Sequence, residues 1–108
     1  YPWLGCSCDG FVEDDGLCEV KCPEFLSRKI LPCYRIQMQV QMIVCERQWC
    51  DFVQWSWRDK VLWVQRVYPL SKTGTDALLK RLKAWWDVHV DGGEEPERKR
   101  PRRKARVT

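Results

Sequence analysis

Gly16-Leu17-Cys18-Glu19-Val20-Lys21-Cys22-Pro23 is the stretch on which the fold turns. Its residues alternate with period two until Pro23 stops them, the pattern of a β-strand. On such a strand Glu19 and Lys21 share one face, and Cys18, Val20 and Cys22 share the other. The apolar set is expected to face the core, which leaves a carboxylate and an amine side by side on the opposite face. Just upstream, Glu13-Asp14-Asp15-Gly16 is a turn signal, because Asp-Gly suits the positive φ of a hairpin turn. Before it, Trp3, Leu4, Phe11 and Val12 stand around Gly5 and Gly10, consistent with short extended segments. Residues 9–22 are thus predicted to form a hairpin that brings Asp9 and Glu19 close without pairing them directly.

Downstream, Ile36-Gln37-Met38-Gln39-Val40-Gln41-Met42 also alternates, which argues for a strand. The segment from Leu31 to Arg47 runs without glycine, however, and Pro32 stands where a helix tolerates it. Gln and Met favour helices as well. The expectation is a helix with two stripes, Tyr34, Gln37, Met38 and Gln41 on one and Ile36, Val40, Ile43 and Val44 on the other. Trp49 to Trp57 reads as a strand, Arg58-Asp59-Lys60 as a turn, and Val61 to Tyr68 as the partner strand, rich in β-branched and aromatic residues. A last helix is predicted over Asp76 to Val90, capped by Thr73 or Thr75. Its apolar stripe is Leu78, Leu79, Leu82, Trp85, Trp86 and Val90. Asp91-Gly92-Gly93 ends it.

The 108 residues suffice for one compact domain. Apolar types make up 44%, including seven Trp, three Phe and three Tyr, so a core is within reach. No run of about 18 apolar residues exists, so no membrane-spanning helix is expected. Tyr1-Pro2-Trp3-Leu4-Gly5 has no initiator Met and no signal-peptide pattern, and reads as an entry into the middle of a fold.

The net charge is +4, with seven basic and no acidic residues from Arg98 to Thr108. Subtracting the tail's seven from +4 leaves residues 1–97 at −3. The expected organisation is therefore a core over residues 1–91 and a disordered basic tail over 92–108. Arg98, Lys99, Arg100, Arg102, Arg103 and Lys104 suit a phosphate-binding arm for DNA, or a nuclear import signal. That places the protein in the nucleus if it is eukaryotic, and otherwise inside the cell. The seven cysteines are odd in number, form no paired CxxC array, and share the chain with a single histidine, His89. Buried free thiols in a reducing compartment are the expectation; a cysteine-based metal module gains no support from the spacing.

Two neighbouring carboxylates repel unless a cation lies between them. Mg²⁺ takes one or two carboxylates, several waters and phosphate oxygens. Asp9 and Glu19 supply the carboxylates. A lysine such as Lys21 can position or deprotonate a water, and an amide such as Gln37 can steady it. These are the parts of a phosphodiester hydrolase.

Four ordered blocks carry a resemblance to a known family: Pro2-Trp3-Leu4-Gly5-x-Ser7-x-Asp9-Gly10; Gly16-Leu17-x-Glu19-Val20-Lys21-Cys22-Pro23; Tyr34-x-x-Gln37-x-Gln39-x-Gln41-Met42; and Trp49-Cys50-Asp51-Phe52-Val53-x-Trp55. Together they resemble the YqaJ-type viral recombinase and lambda exonuclease family of the PD-(D/E)XK nuclease superfamily, over about residues 2–68. The resemblance implies an α/β fold, a mixed central sheet flanked by helices in a restriction-endonuclease-like core. It implies a Mg²⁺-dependent (or Mn²⁺-dependent) DNA exonuclease of recombination or repair, and an oligomer of the ring-shaped trimer type. Carried over by motif, Asp9, Glu19 and the Val20 backbone carbonyl are metal ligands, Lys21 is the catalytic lysine, and Gln37 steadies the site.

Two departures stand out. Cys8 occupies the place of a usual proline, and the family's helix upstream of the Trp-Leu-Gly segment has no counterpart here. The expectation is an N-terminally truncated domain lacking that first helix. The alternative is a catalytically inactive nuclease-like remnant that binds nucleic acid or protein.

Overall fold

A computed structural model of the chain describes residues 1–97. The basic run Arg98, Lys99, Arg100, Arg102, Arg103 and Lys104, expected to touch DNA, lies outside the described residues. The chain divides into two compact units, Tyr1–Ala77 and Leu78–Thr108.

Within the first unit, β1 (Gly10–Val12) and β2 (Gly16–Lys21) form an antiparallel hairpin around Glu13–Asp15, with Phe11 opposite Leu17. The positive φ of the turn falls on Glu13, at 53°, and not on glycine. Gly16 already belongs to β2, and it is glycine for another reason. A Cβ there would meet the Trp49 ring at 2.1 Å.

Helix α1 (Pro32–Cys45) follows β2 and leads into β3 (Trp49–Ser56), which pairs parallel to β2. A parallel pair needs a crossover, and α1 supplies it. The alternation through residues 36–42 is therefore helical, not extended. Pro32 enters at the first turn after Leu31, which is extended (ψ 148°) as a pre-proline residue prefers to be. Glu46, left-handed at φ 54°, closes the helix, and the Arg47 N–H donates to the Met42 carbonyl at 3.0 Å. The Gln48 N–H then donates to the Asp15 carbonyl at 2.8 Å, tying the helix exit to the hairpin turn.

β3 turns through residues 57–60 into β4 (Val61–Val67), its antiparallel partner. The result is one mixed four-stranded sheet in the order β1-β2-β3-β4, an α/β fold as expected. Its core is Leu17, Ile30, Met38, Met42, Cys50, Phe52 and Val67. Tyr34 stacks on Phe52 at 5.9 Å between ring centroids, and Trp63 meets Phe52 edge-on at 6.2 Å.

One expectation about the sheet is reversed. The face of β2 that turns to the core carries Leu17 and Glu19, not Cys18, Val20 and Cys22; Val20 is 41% exposed and Cys22 is exposed as well. Leu17 aligns with Cys50 and Glu19 with Phe52 across the parallel pair, so burying that face joins Leu17 to the fully buried Cys50 and Phe52 of β3. The expectation of buried thiols fails likewise. Cys50 is buried, whereas Cys6, Cys22 and Cys33 are exposed and Cys8, Cys18 and Cys45 lie between.

Helix α2 (Lys72–Trp86) starts four residues before the expected point and continues as a π-helical turn, Asp87–Asp91. Ser71, rather than Thr73 or Thr75, caps it: the Gly74 N–H donates to Ser71 Oγ at 3.1 Å. No residue of α2 is fully buried. Leu78, Leu79, Leu82 and Trp86 are half-buried, and Trp85 and Val90 are exposed. Among the described residues no helix is long and apolar enough to cross a membrane.

Candidate active site

The site grows from β2. Glu19 is 3% exposed, and its carboxylate is met by three donors. Gln37 Nε2 donates to Oε1 at 3.1 Å, Gln41 Nε2 to Oε2 at 2.9 Å, and Lys21 Nζ lies 3.3 Å from Oε1. Burial of an ionised carboxylate is costly unless charge and hydrogen bonds compensate it. Two amides from one helix and an ammonium from the same strand do so here. Gln37 and Gln41 are four residues apart on α1, hence on one helical face.

Lys21 is held on its other side by Tyr34, whose ring centroid is 4.4 Å from Nζ. The stripe Tyr34, Gln37, Met38 and Gln41 is therefore the sheet-facing one. Its polar members address the carboxylate, and Met38 fills the core.

Asp9 arrives from the chain just before β1. Its Oδ2 accepts the Val20 backbone N–H at 2.7 Å, so the exposed Asp9 carboxylate sits beside the backbone of the residue that follows Glu19. Asp9, Glu19, Val20, Lys21 and Gln37 are thus brought together around β2.

Residues outside the expected set complete the arrangement. Gln41 joins Glu19 to the preceding segment, because its Nε2 also donates to the Ser7 carbonyl at 3.3 Å. Its Oε1 is buried without a hydrogen-bond partner. Gln54, buried on β3, accepts the Ser27 and Arg28 N–H groups at 3.3 and 3.2 Å and donates to Ser27 Oγ at 2.8 Å and the Lys29 carbonyl at 3.2 Å. It thereby shapes the wall of a cleft of about 440 Å³ that Lys21, Lys29, Tyr34 and Leu31 also line. The signal for Gln41 was its i, i+4 spacing from Gln37. Gln54 gave none beyond being polar on an aromatic strand.

Neighbouring thiols report the local charge. Cys50 is pushed up to about 12, first by burial and then by the Glu19 carboxylate. Cys18 is raised by burial and then by Asp9, with Glu19 and Asp51 contributing. Cys8 is raised too, by burial first. Among the described residues no three of His, Cys, Asp and Glu converge in a metal-binding arrangement. What the site does offer is hard oxygen: two carboxylates, a backbone carbonyl and a buried amide oxygen still lacking a donor. That set fits Mg²⁺ or Mn²⁺, which bind few protein oxygens and keep waters. An orphaned amide oxygen is also a natural acceptor for one such water.

No family model and no curated protein matches the chain. Two solved structures of one protein do, the alkaline exonuclease LHK-Exo from Laribacter hongkongensis, the second of them in complex with dAMP. Each is 33% identical, with 81% of this chain and 53% of that chain covered, at TM-scores of 0.55 and 0.54. The chain spans about half the length of these relatives. Sequence blocks and sheet order meet in one likeness: over 81% of its length the chain is similar to an alkaline exonuclease of the YqaJ and lambda exonuclease-like group, consistent with the family its motifs resemble.

Proposed function

We propose that this chain is the catalytic portion of a Mg²⁺-dependent (or Mn²⁺-dependent) DNA exonuclease that works in recombination or repair. The observation that carries the reading is Glu19, a buried carboxylate held by Gln37, Gln41 and Lys21 beside the Asp9–Val20 link. Asp9, Glu19 and the Val20 carbonyl would hold the cation. Once bound, it would offset charge on a phosphodiester and make a coordinated water more acidic.

The remaining work falls to this chain's own side chains. Lys21 Nζ, held between Glu19 and the Tyr34 ring, would orient the attacking water or balance charge on the phosphate. Gln37 holds Glu19 in register. Lys21 and Lys29 line the cleft beside the site, where a DNA backbone finds positive charge. Arg98, Lys99, Arg100, Arg102, Arg103 and Lys104 add sequence-independent phosphate affinity. A homo-oligomer of the family's ring type and a nuclear address supplied by the same basic run belong to this reading as well.

A second reading, a nuclease-like remnant that binds nucleic acid or protein without cutting, is favoured by one feature. Both Glu19 oxygens already accept protein donors, and the residue is nearly closed to solvent.

The test is degradation of end-labelled linear duplex DNA, with Mg²⁺ and with EDTA, by this chain and by Lys21→Ala. Metal-dependent loss of label that vanishes in the variant supports the nuclease. A folded chain that retains DNA but never cuts it supports the remnant.

A further inference from the structure

Three thiols gather at the edge of the site, on a ladder that its mechanism does not use. Cys6 Sγ and Cys45 Sγ lie 3.7 Å apart, although 39 residues separate them. The Cys8 thiol is raised by burial first and then by Cys45. Cys6 is exposed, whereas Cys45 is half-buried at the last turn of α1. Cys45 is four residues beyond Gln41, on the same helical face. Gln41 already grips the Ser7 carbonyl, next to Cys6. Two successive rungs of α1 therefore address the same Cys6–Ser7 segment, three residues before Asp9.

We propose that Cys6 and Cys45 are a redox modification site, which a low-molecular-weight disulfide such as oxidised glutathione converts to an intrachain disulfide. Cys6, the accessible thiol, attacks one sulfur of the glutathione disulfide as its thiolate, and the glutathione thiolate leaves. Cys45, after losing its proton, attacks the Cys6 sulfur of the mixed disulfide and expels the second glutathione. Two protein thiols are oxidised and one glutathione disulfide is reduced to two glutathiones, so electrons and protons balance.

The second step needs the sulfurs to move from van der Waals contact to bonding distance, about 2 Å, which side-chain rotation supplies. Cys8, also near Cys45, packs against the core cluster, whereas Cys6 is open to the reagent; the geometry therefore selects Cys6. The Cys6 thiol is pushed up to about 11, by desolvation first and then by its hydrogen bond with Cys45. Only the thiolate attacks, so the reaction quickens as pH rises through the alkaline range.

The bond would close a loop of about 40 residues and so constrain the unfolded chain. It would also clamp the segment that delivers Asp9 to the helix that holds Glu19.

The chain is incubated with oxidised glutathione, alkylated, digested without reductant and mapped by mass, beside Cys45→Ser and a Cys22→Ser control. The expected result is a dominant Cys6–Cys45 linked peptide, two hydrogen masses lighter than the sum of its parts. It persists in Cys22→Ser, disappears with dithiothreitol, and raises the Tm by about 5 °C or more in every chain except Cys45→Ser. A stable glutathione adduct on Cys6 without the link, a Cys8–Cys45 link, or disulfides spread over Cys22 and Cys33 would each overturn the assignment. The chemistry is read by mass and melting alone, so its failure leaves the nuclease reading untouched.

Discussion

The two faces of the sheet have opposite characters, and hydropathy does not say which is which. The face under α1 buries Leu17, Cys50, Phe52 and Val67, yet between them it also buries Glu19, Gln54 and Ser56. The other face leaves Val20, Trp55, Leu62 and Val64 exposed, Trp55 by 39% and Val64 by 49%. It closes only at one end, where Trp49 lies over Gly16 and the Arg66 guanidinium stacks 3.7 Å from the Trp49 centroid while pairing with Asp51 at 2.8 Å. A polar group goes inside when hydrogen bonds from the protein replace most of those it loses to water. Ser56 Oγ donates to the Glu24 carbonyl at 2.7 Å, Gln39 clasps the Tyr68 carbonyl and the Leu70 N–H at 2.9 and 3.0 Å, and Gln54 holds residues 27–29. The covered face is therefore where partners exist, and the apolar residues of the other face stay out for want of a covering helix from this unit.

Truncation separates the faces most sharply. Phe52→Ala, fully buried beneath Tyr34 and Trp63, is expected to lose about 3–5 kcal/mol in urea denaturation, while Val64→Ala on the open face loses under about 1 kcal/mol. Equal losses would mean that Val64 is covered after all. Next in size, Gln41→Leu strips one of three donors from a buried carboxylate and frees the Ser7 carbonyl. It is expected to cost about 1–3 kcal/mol and, if the proposed nuclease reading holds, to lower kcat more than it raises KM for DNA. Gly16→Ala probes the closed end: its Cβ would enter the Trp49 ring, at a cost of about 1–3 kcal/mol in the same denaturation assay.

The last effect is one of pH. The unfolded Cys50 thiol titrates near about 8.5, whereas the folded one is pushed up to about 12. The folded chain holds the proton longer, so this contribution to stability is complete below about pH 8.5 and is lost as pH rises toward the folded value. Denaturation of the reduced chain at about pH 7 and about pH 10 should show that decline, and Cys50→Ala should flatten it. A slope unchanged by the substitution would assign the decline to the other raised thiols, Cys6, Cys8 and Cys18.

Much of this is legible in the sequence. Pro32 marked the start of α1, the β-branched and aromatic run from Val61 marked β4, and Glu19-Val20-Lys21 marked the strand at the centre of the candidate site. Local rules suffice there, because proline geometry, period-two alternation and turn length act within a few residues. They misled where a distant partner decides. Thr73 and Thr75 were as good caps as Ser71 until the first turn was placed, and Asp-Gly was a fair turn signal until Trp49 claimed the space above Gly16.

The sequence by itself determined the order of elements and the residue types of the candidate site. Alternation established that Glu19 and Lys21 share a face, and helical spacing that Gln37 and Gln41 do. Tertiary structure alone decided that the charged face turns inward, that Gln41 and Gln54 hold the site and its cleft, and that Cys6 meets Cys45. The reason is physical: a period assigns side chains to two faces but is blind to which face is covered. For Glu19 the deciding donors come from 18 and 22 residues away on a crossover helix.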